Sequence, residues 1–394
     1  MKRAISGKLA KKIDTYSIDN GMPSLVLMER AALKAVGHIE KIMQADGGSR
    51  IAFVCSMGNN GADGIAAARM LADDGYECLI FLVGDMEHAT DEFNVQLNLA
   101  RYLNIPICFF NGDIHAAFFD EYTVIVDALF GIGLSREIEG EYKKVIECIN
   151  ASVSKVVSVD IPSGINSANG QIMGAAIHAD VTVTFGYAKL GQMLYPGKEY
   201  TGRLFVEQIG FLPYDFQAYG HAGDEVESAF YFADEDDFKA SVPVRVRRSN
   251  KGNYGKPLII AGSKDMTGAA FMSGLAAYRT GAGVVTVLTH ESIDEYIKSV
   301  LPEAIVKSYG AQPEAVLENA LAAASVIVLG PGLSVGELSK RIVKYVLKNA
   351  QVPVVADADA LNIMAENTDE WLGEKSERNR EGLLIITPHV GEMS

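Results

Sequence analysis

From residue 25 to residue 42 apolar side chains return every three or four positions, through Leu25, Val26, Leu27 and Met28 to Ile39 and Ile42. That period predicts an amphipathic helix. The pattern then changes to short continuous apolar runs at residues 51–55, 78–83, 107–110, 123–127, 155–160 and 180–185, with helical stretches between most of them. Runs of this kind are buried on both faces, which predicts a mainly parallel sheet covered by helices.

Near residue 211 the period is lost. The stretch "FLPYDFQAYGHAGDEVES" mixes Pro, Gly and acidic residues and reads as a connection. A second alternating series follows, with strands expected at 257–261, 284–289, 325–329, 352–356 and 383–387. The expected organisation is a Rossmann-like three-layer α/β/α domain over residues 1–218, a linker over 219–234 and a second α/β domain over 235–394. After the last strand, Gly391-Glu-Met-Ser394 reads as the first turn of a helix, so the second domain is expected to be incomplete at its C-terminus.

Composition narrows the function classes. Hydrophobic residues make up 48% and charged residues 22% of the chain, as in soluble globular proteins. A net charge of −15 disfavours nucleic acid or an anionic membrane as partner, because both select a basic face. Cys55, Cys78, Cys108 and Cys148 lie far apart without a CxxC pair, and are expected to be buried reduced thiols of a cytoplasmic protein. The basic N-terminus has no apolar core of a signal peptide, and no apolar run reaches the ~18 residues of a membrane span.

In open parallel sheets ligands bind beyond the carboxyl ends of the strands. Three such ends carry polar groups. "CSMGNNGADG" places Asn59, Asn60, Gly61, Ala62 and Asp63 in a glycine-rich strand-to-helix turn that lacks a P-loop lysine. Asp127 ends "YTVIVD", and Asp160 ends "VVSVD" with Ser163 three residues on. Each aspartate closes an apolar strand with no lysine or arginine beside it in sequence. It therefore either caps the following turn or belongs to a site. Asn60, Asp127 and Ser163 offer hard oxygen ligands suited to an alkali or alkaline-earth cation. "GNNGADG" and "FGIGL" offer backbone N–H groups to an anion. The seven histidines form no metal-binding pair. In the second domain "AGSKDMTGAA", "LGPGL", "ADADAL" and "TPHVGE" also fall at strand ends, with Asp357 and Asp359 as candidate caps.

"NNGADG", "VDALFGIGL", "VDIPSGIN" and "AKLGQMLYPGKEYTGRLFVEQIGF" resemble the NAD(P)H-hydrate epimerases. "NKGNYGKPLIIAGSKDMTGAAFMSGLAAYRTGAGVVTV", "LGPGLS", "VVADADALN" and "ITPHVGEM" resemble the ADP/ATP-dependent NAD(P)H-hydrate dehydratases, whose fold is ribokinase-like. The order matches the bifunctional family that repairs hydrated NADH and NADPH. The resemblance implies a potassium ion held through Asn60, Asp127 and Ser163. It implies substrate contacts from Asn59 to Asp63, from Gly131, Ile132, Gly133, Leu134, Ser135, Arg136 and Glu137, and from Asp160, which is also the candidate general acid/base. In the dehydratase half it implies hydrate contacts at Ala269, Gly332 and His389, and, for a complete domain, ADP or ATP with Mg2+ as co-substrate. NAD(P)HX is the expected small-molecule partner and a homo-oligomer the expected state. Two departures stand out. Ala62 replaces the second glycine of the usual NNGGDG, which is harmless if its φ is negative. The family's lysine-glycine nucleotide segment and GTGD-type motif do not appear, so epimerase activity is expected with little dehydratase activity. A small-molecule kinase and a non-catalytic nucleotide-binding scaffold are the competing readings.

Overall fold

The structure is a computed structural model that describes residues 2–110, 112, 114–215, 230–233, 235–242, 244–366 and 383–393. The chain divides into two compact units, Met1–Val242 and Pro243–Ser394.

The first unit begins with β1 (Lys2–Ile5), α1 (Gly7–Asp19) and α2 (Ser24–Asp46). It continues through β2 (Arg50–Cys55), α3 (Asn59–Asp73), β3 (Glu77–Leu82), α4 (Asp91–Tyr102), β4 (Ile107–Phe109), α5 (Ala116–Phe119) and β5 (Val124–Ala128). Then come α6 (Gly140–Asn150), β6 (Lys155–Val159), β7 (Val181–Phe185), β8 (Ala188–Lys189), α7 (Leu190–Met193), α8 (Gly197–Thr201), β9 (Arg203–Glu207), β10 (Phe230–Phe232) and α9 (Glu235–Ser241).

Seven parallel strands form one sheet in the order β4-β3-β2-β5-β6-β7-β9. Along β2 the side chains alternate between two cores. Ile51, Phe53 and Cys55 join the cluster of α2 and α3, while Ala52 and Val54 face the cluster that holds Val145, Ile146 and Ile149 of α6. This period of two, apolar on both sides, is why the strand reads as a continuous run. Buried positions of α2 recur at Leu27, Met28, Ala31, Ala32, Ala35, Val36, Ile39 and Met43, and the helix stops at Gly47 with φ 68°. A smaller mixed sheet, β10-β1-β8, pairs Ala4 with Phe230 and with Ala188. The strand β10 thus falls within the segment expected as linker. Residues 219–229 and 234 of that segment lie outside the described residues.

The second unit runs β11 (Pro257–Ile260), α10 (Thr267–Arg279), β12 (Thr286–His290), α11 (Asp294–Val300), β13 (Ile305–Tyr309) and α12 (Glu314–Ala323). It goes on through β14 (Val326–Leu329), α13 (Glu337–Asn349), β15 (Val354–Ala356), α14 (Asp359–Ala365) and β16 (Leu384–Ile386). Its six parallel strands are ordered β13-β12-β11-β14-β15-β16. Both sheets are doubly wound, with the strand order reversing between β2 and β5 in one and between β11 and β14 in the other. Among the described residues no helix is long and apolar enough to cross a membrane.

The thiols correct one expectation. Cys55 and Cys78 are buried, and burial pushes both up, Cys78 to about 12. Cys108 is exposed instead, because β4 is the edge strand and leaves its outer residues uncovered.

Candidate active site

The carboxyl ends of β2 and β5 flank the switch point of the first sheet. The connection after β2 is only Ser56 to Gly58, since α3 already begins at Asn59. The stretch "NNGADG" is therefore helix rather than the loop that its glycine content suggests. Close packing explains the glycines. A Cβ on Gly61 would lie 1.8 Å from the Ser56 carbonyl oxygen, and one on Gly64 would lie 2.5 Å from the Ala128 Cβ. Ala62 is buried in regular helix and is absent from the positive-φ residues, so its methyl group costs nothing here. The side chain of Asn60 reaches across to the next strand's loop, where a Cβ on Gly131 would stand 3.3 Å from Asn60 Oδ1. Among the described residues its buried Nδ2 has no hydrogen-bond partner.

Asp127 closes β5 with no exposed surface. Its Oδ2 accepts from the Ser158 hydroxyl at 2.7 Å and from the Ser163 N–H at 2.9 Å. Its Oδ1 accepts from the Ser163 hydroxyl at 2.5 Å and, weakly, from the Leu129 N–H at 3.3 Å. Burial raises its pKa and these donors offset the shift only in part. Ser163 also accepts from the Phe130 N–H at 2.8 Å, which ties the 130–137 loop to the end of β6. Asp127, Ser163 and the loop are thus brought together, and Asn60 stands beside the loop's Gly131. Within that loop Gly133, Ser135, Arg136 and Glu137 are exposed, while Ile132 and Leu134 are half-buried.

Asp160 follows β6 in the left-handed region, φ 66°, a conformation that costs a non-glycine residue about 1–2 kcal/mol. No lysine or arginine stands beside it in sequence. The fold supplies one: Lys189, at the end of β8, is 2% exposed and its Nζ donates to Asp160 Oδ1 at 2.5 Å. Nζ also donates to Thr184 Oγ1 at 2.8 Å and to the Phe185 carbonyl at 3.1 Å. Thr184 and the Phe185 N–H complete the bonds to Asp160, again at Oδ1, at 3.1 and 3.4 Å. No hydrogen bond reaches Oδ2 from the described residues.

Two more carboxyls share this charge cluster. Asp63 is pushed well above the usual aspartate range by burial, then by Asp160 and Asp14. Asp14, on α1, is raised by burial and by Asp160, and lowered by Lys189. Asp63, in the first turns of α3, thus lies among other acids. Asp14 and Lys189 escaped the sequence reading. The pattern "FGYAKLG" was one available signal for Lys189, since it sets a lysine just beyond the buried strand β7. Beside β9 lies a cavity of about 370 Å³ that includes Gln192, Lys198, Phe205 and Glu207 but none of the residues singled out by sequence.

In the second unit the switch-point turns also meet. Gly332, at φ 64°, is so close to Ala269 that a Cβ there would come within 2.7 Å of the Ala269 Cβ. Asp359 Oδ2 accepts from the Ser334 N–H at 2.8 Å, as a turn cap would. His389 is 74% exposed and bonds within its own turn, to Glu392 and to the Gly391 N–H.

A doubly wound α/β sheet with buried carboxylates and an ammonium at its strand ends defines a small-molecule enzyme, here followed by a second α/β unit. Comparison with known proteins gives the family. The sequence model described as YjeF-related protein N-terminus matches residues 24–191, and that described as NAD(P)H-hydrate dehydratase matches 257–394. A bifunctional NAD(P)H-hydrate repair enzyme of Moorella thermoacetica is 33% identical over 386 residues, 95% of this chain and 70% of that protein. An NAD(P)H-hydrate epimerase of Lentilactobacillus buchneri is 40% identical over 211 residues, 53% of this chain and 95% of that protein. The Bacillus subtilis ADP/ATP-dependent NAD(P)H-hydrate dehydratase, co-crystallised with ATP and Mg2+, is 38% identical and covers 41% of this chain and 53% of its own, with a TM-score of 0.33. The chain belongs to the bifunctional NAD(P)H-hydrate repair enzymes. Its N-terminal part is an NAD(P)H-hydrate epimerase domain and its C-terminal part is of the NAD(P)H-hydrate dehydratase type, which favours the repair-enzyme reading over a small-molecule kinase.

Proposed function

We propose that the first unit interconverts R- and S-NAD(P)HX at C6 of the hydrated nicotinamide ring, with Asp160 as general acid/base. One observation carries the assignment: Asp160 is fixed through Oδ1 alone, which leaves Oδ2 for a substrate proton. As the carboxylate partner of Lys189, Asp160 is suited to take the proton of the C6 hydroxyl. The C6–N1 bond then breaks as the carbonyl forms, and N1 takes up a proton. Ring closure on the other face reverses each transfer, so no net proton is consumed. Burial and the neighbouring Asp160 and Asp14 push the Asp63 pKa up, and Asp63 is the proposed donor for N1. Residues Asn59 to Asp63 and Gly131 to Glu137 would hold the nucleotide on either side of the switch point.

Potassium fits the residues present. Asp127 is a fully buried carboxylate with only neutral donors on its oxygens, and neither end of the Asn60 amide is hydrogen-bonded within the described residues. Asn60, Asp127 and Ser163 would hold the ion, which would supply positive charge near a phosphate-bearing ligand. In the second unit Ala269, Gly332 and His389 would lie toward the hydrate, and ADP or ATP with Mg2+ would serve only together with the lysine-glycine and GTGD-type segments that this sequence does not show.

The test is the Asp160→Asn variant, with R- and S-NADHX separated chromatographically over time. Loss of interconversion by a factor of about 100 or more is expected for a general acid/base. Interconversion at the wild-type rate refutes the assignment.

A further inference from the structure

The general acid/base role of Asp160 raises a structural question that its own position does not answer. A carboxylate on a strained, left-handed residue at a strand end has freedom to swing away. Its three donors converge on one oxygen, and two of them, Thr184 and Phe185, are themselves tied to the third, Lys189. Placing an ammonium at 2% exposure costs several kcal/mol unless its protons are all used. Here all three are used, on Asp160 Oδ1, Thr184 Oγ1 and the Phe185 carbonyl oxygen.

A second tie acts on the main chain of the same residue. Gln192, 1% exposed, donates from Nε2 to the Asp160 carbonyl oxygen at 2.6 Å. Its Oε1 accepts from the Lys189 N–H at 2.8 Å. The segment from Lys189 to Gln192 therefore grips Asp160 twice, once at the carboxylate and once at the backbone whose φ is 66°. This segment is anchored in turn by the small sheet, where Ile5 of β1 pairs with Lys189.

We propose that Lys189 and Gln192 are positioning residues for the epimerase reaction: Lys189 fixes the Oδ1 end of Asp160 so that Oδ2 meets the substrate, and Gln192 holds the left-handed backbone that aims it. This rests on the reading of Asp160 as the general acid/base. Neither residue touches the reacting atoms, so their loss acts on turnover rather than on affinity. Among the described residues Asp14 on α1 interacts with both Asp160 and Lys189, and Asp63 on α3 with Asp160. Both are carboxyls, so neither can stand in for the missing ammonium.

The experiment uses the full chain and compares wild type with K189A, K189R, Q192A and D160N, following R- to S-NADHX conversion at saturating and limiting substrate. For K189A, kcat is expected to fall about 30-fold or more with KM within about threefold, as for a residue that acts only on the reacting geometry. Ethylammonium added to K189A restores at least about fivefold of the lost rate, because a free ammonium can refill the vacated site; K189R keeps the charge and retains more activity than K189A. An unchanged kcat in K189A, a loss confined to KM, or no recovery with amine overturns the inference. If K189A does not fold by circular dichroism, Q192A decides: a drop of about tenfold in kcat at unchanged KM supports the clamp, and an unchanged kcat refutes it. A D160N variant that turns over at the wild-type rate marks a different failure, that of the Asp160 assignment itself.

Discussion

Ser163 holds both oxygens of Asp127, its hydroxyl donating to Oδ1 at 2.5 Å and its backbone N–H to Oδ2 at 2.9 Å. One residue after β6 thus satisfies a charge at the end of β5 and also accepts from the Phe130 N–H. Hydrogen bonds to charged groups contribute more than neutral ones. Ser163→Ala, which removes the hydroxyl and leaves the N–H, is expected to lower stability by about 1.5–3 kcal/mol. Chemical denaturation of the first unit's transition measures it. A loss below about 0.5 kcal/mol would show that the Asp127 carboxylate is satisfied without the hydroxyl.

Much of this geometry is legible in the sequence, and the boundary of legibility is physical. Asp127 and Asp160 announce themselves because each ends a run of valines and isoleucines, and burial at such a point needs a reason. Lys189 gives a weaker signal, a lysine just beyond the buried strand β7, because only the fold carries it across from the end of β8 to Asp160. Asp14 lies on an amphipathic helix where an acidic residue ordinarily faces water; its neighbours Asp160 and Lys189 come from distant segments. The strands β9 and β13 were not expected, and both are sheet edges whose polar residues and partial burial break the apolar run. The same rule hid the start of α3. Glycines at 61 and 64 suggest a loop, while in the structure they let a helix approach Ser56 and Ala128.

That close approach makes Gly61 and its neighbour opposite tests of one helix end. Gly61→Ala drives a Cβ to 1.8 Å from the Ser56 carbonyl oxygen, where backbone must move, and is expected to cost about 3 kcal/mol. Asn60 would shift from Gly131 with it, so epimerisation falls as well. Ala62→Gly adds backbone freedom inside a helix and removes one buried methyl, and is expected to cost about 1–2 kcal/mol while leaving turnover intact. Melting curves and interconversion rates of the two variants, side by side, separate the effects; equal effects of both would contradict the packing described.

Asp63 sets a pH dependence whose sign can be worked out. Its folded-state pKa is raised well above the unfolded value of about 4 by burial and by Asp160 and Asp14. Between those two values the folded state holds a proton that the unfolded state has released, so stability falls as pH rises through that window. Asp63→Asn keeps the shape of the protonated form and removes the penalty. Its melting temperature is therefore expected to exceed wild type by a margin that grows as pH is raised from about 4 toward neutrality. A margin that is flat or shrinks with pH would place the raised pKa elsewhere. Epimerisation is expected to fall in the same variant, because the amide cannot give up a proton to N1.

Potassium dependence tests the proposed ion through two readouts with different causes. A ligand that binds only the folded state stabilises it by about 2.7 kcal/mol when present at a hundred times its Kd. Replacing potassium with choline at constant ionic strength is therefore expected to lower the first unit's calorimetric transition in the wild type. Asp127→Asn removes the buried charge that the ion would balance, while the amide can still bond Ser158 and Ser163. Its transition should be indifferent to the exchange. Asn60→Ala should show a partial response, since one oxygen ligand is lost and the carboxylate remains. If wild type and Asp127→Asn respond alike, the ion acts elsewhere, and the buried carboxylate rests on its hydrogen bonds alone.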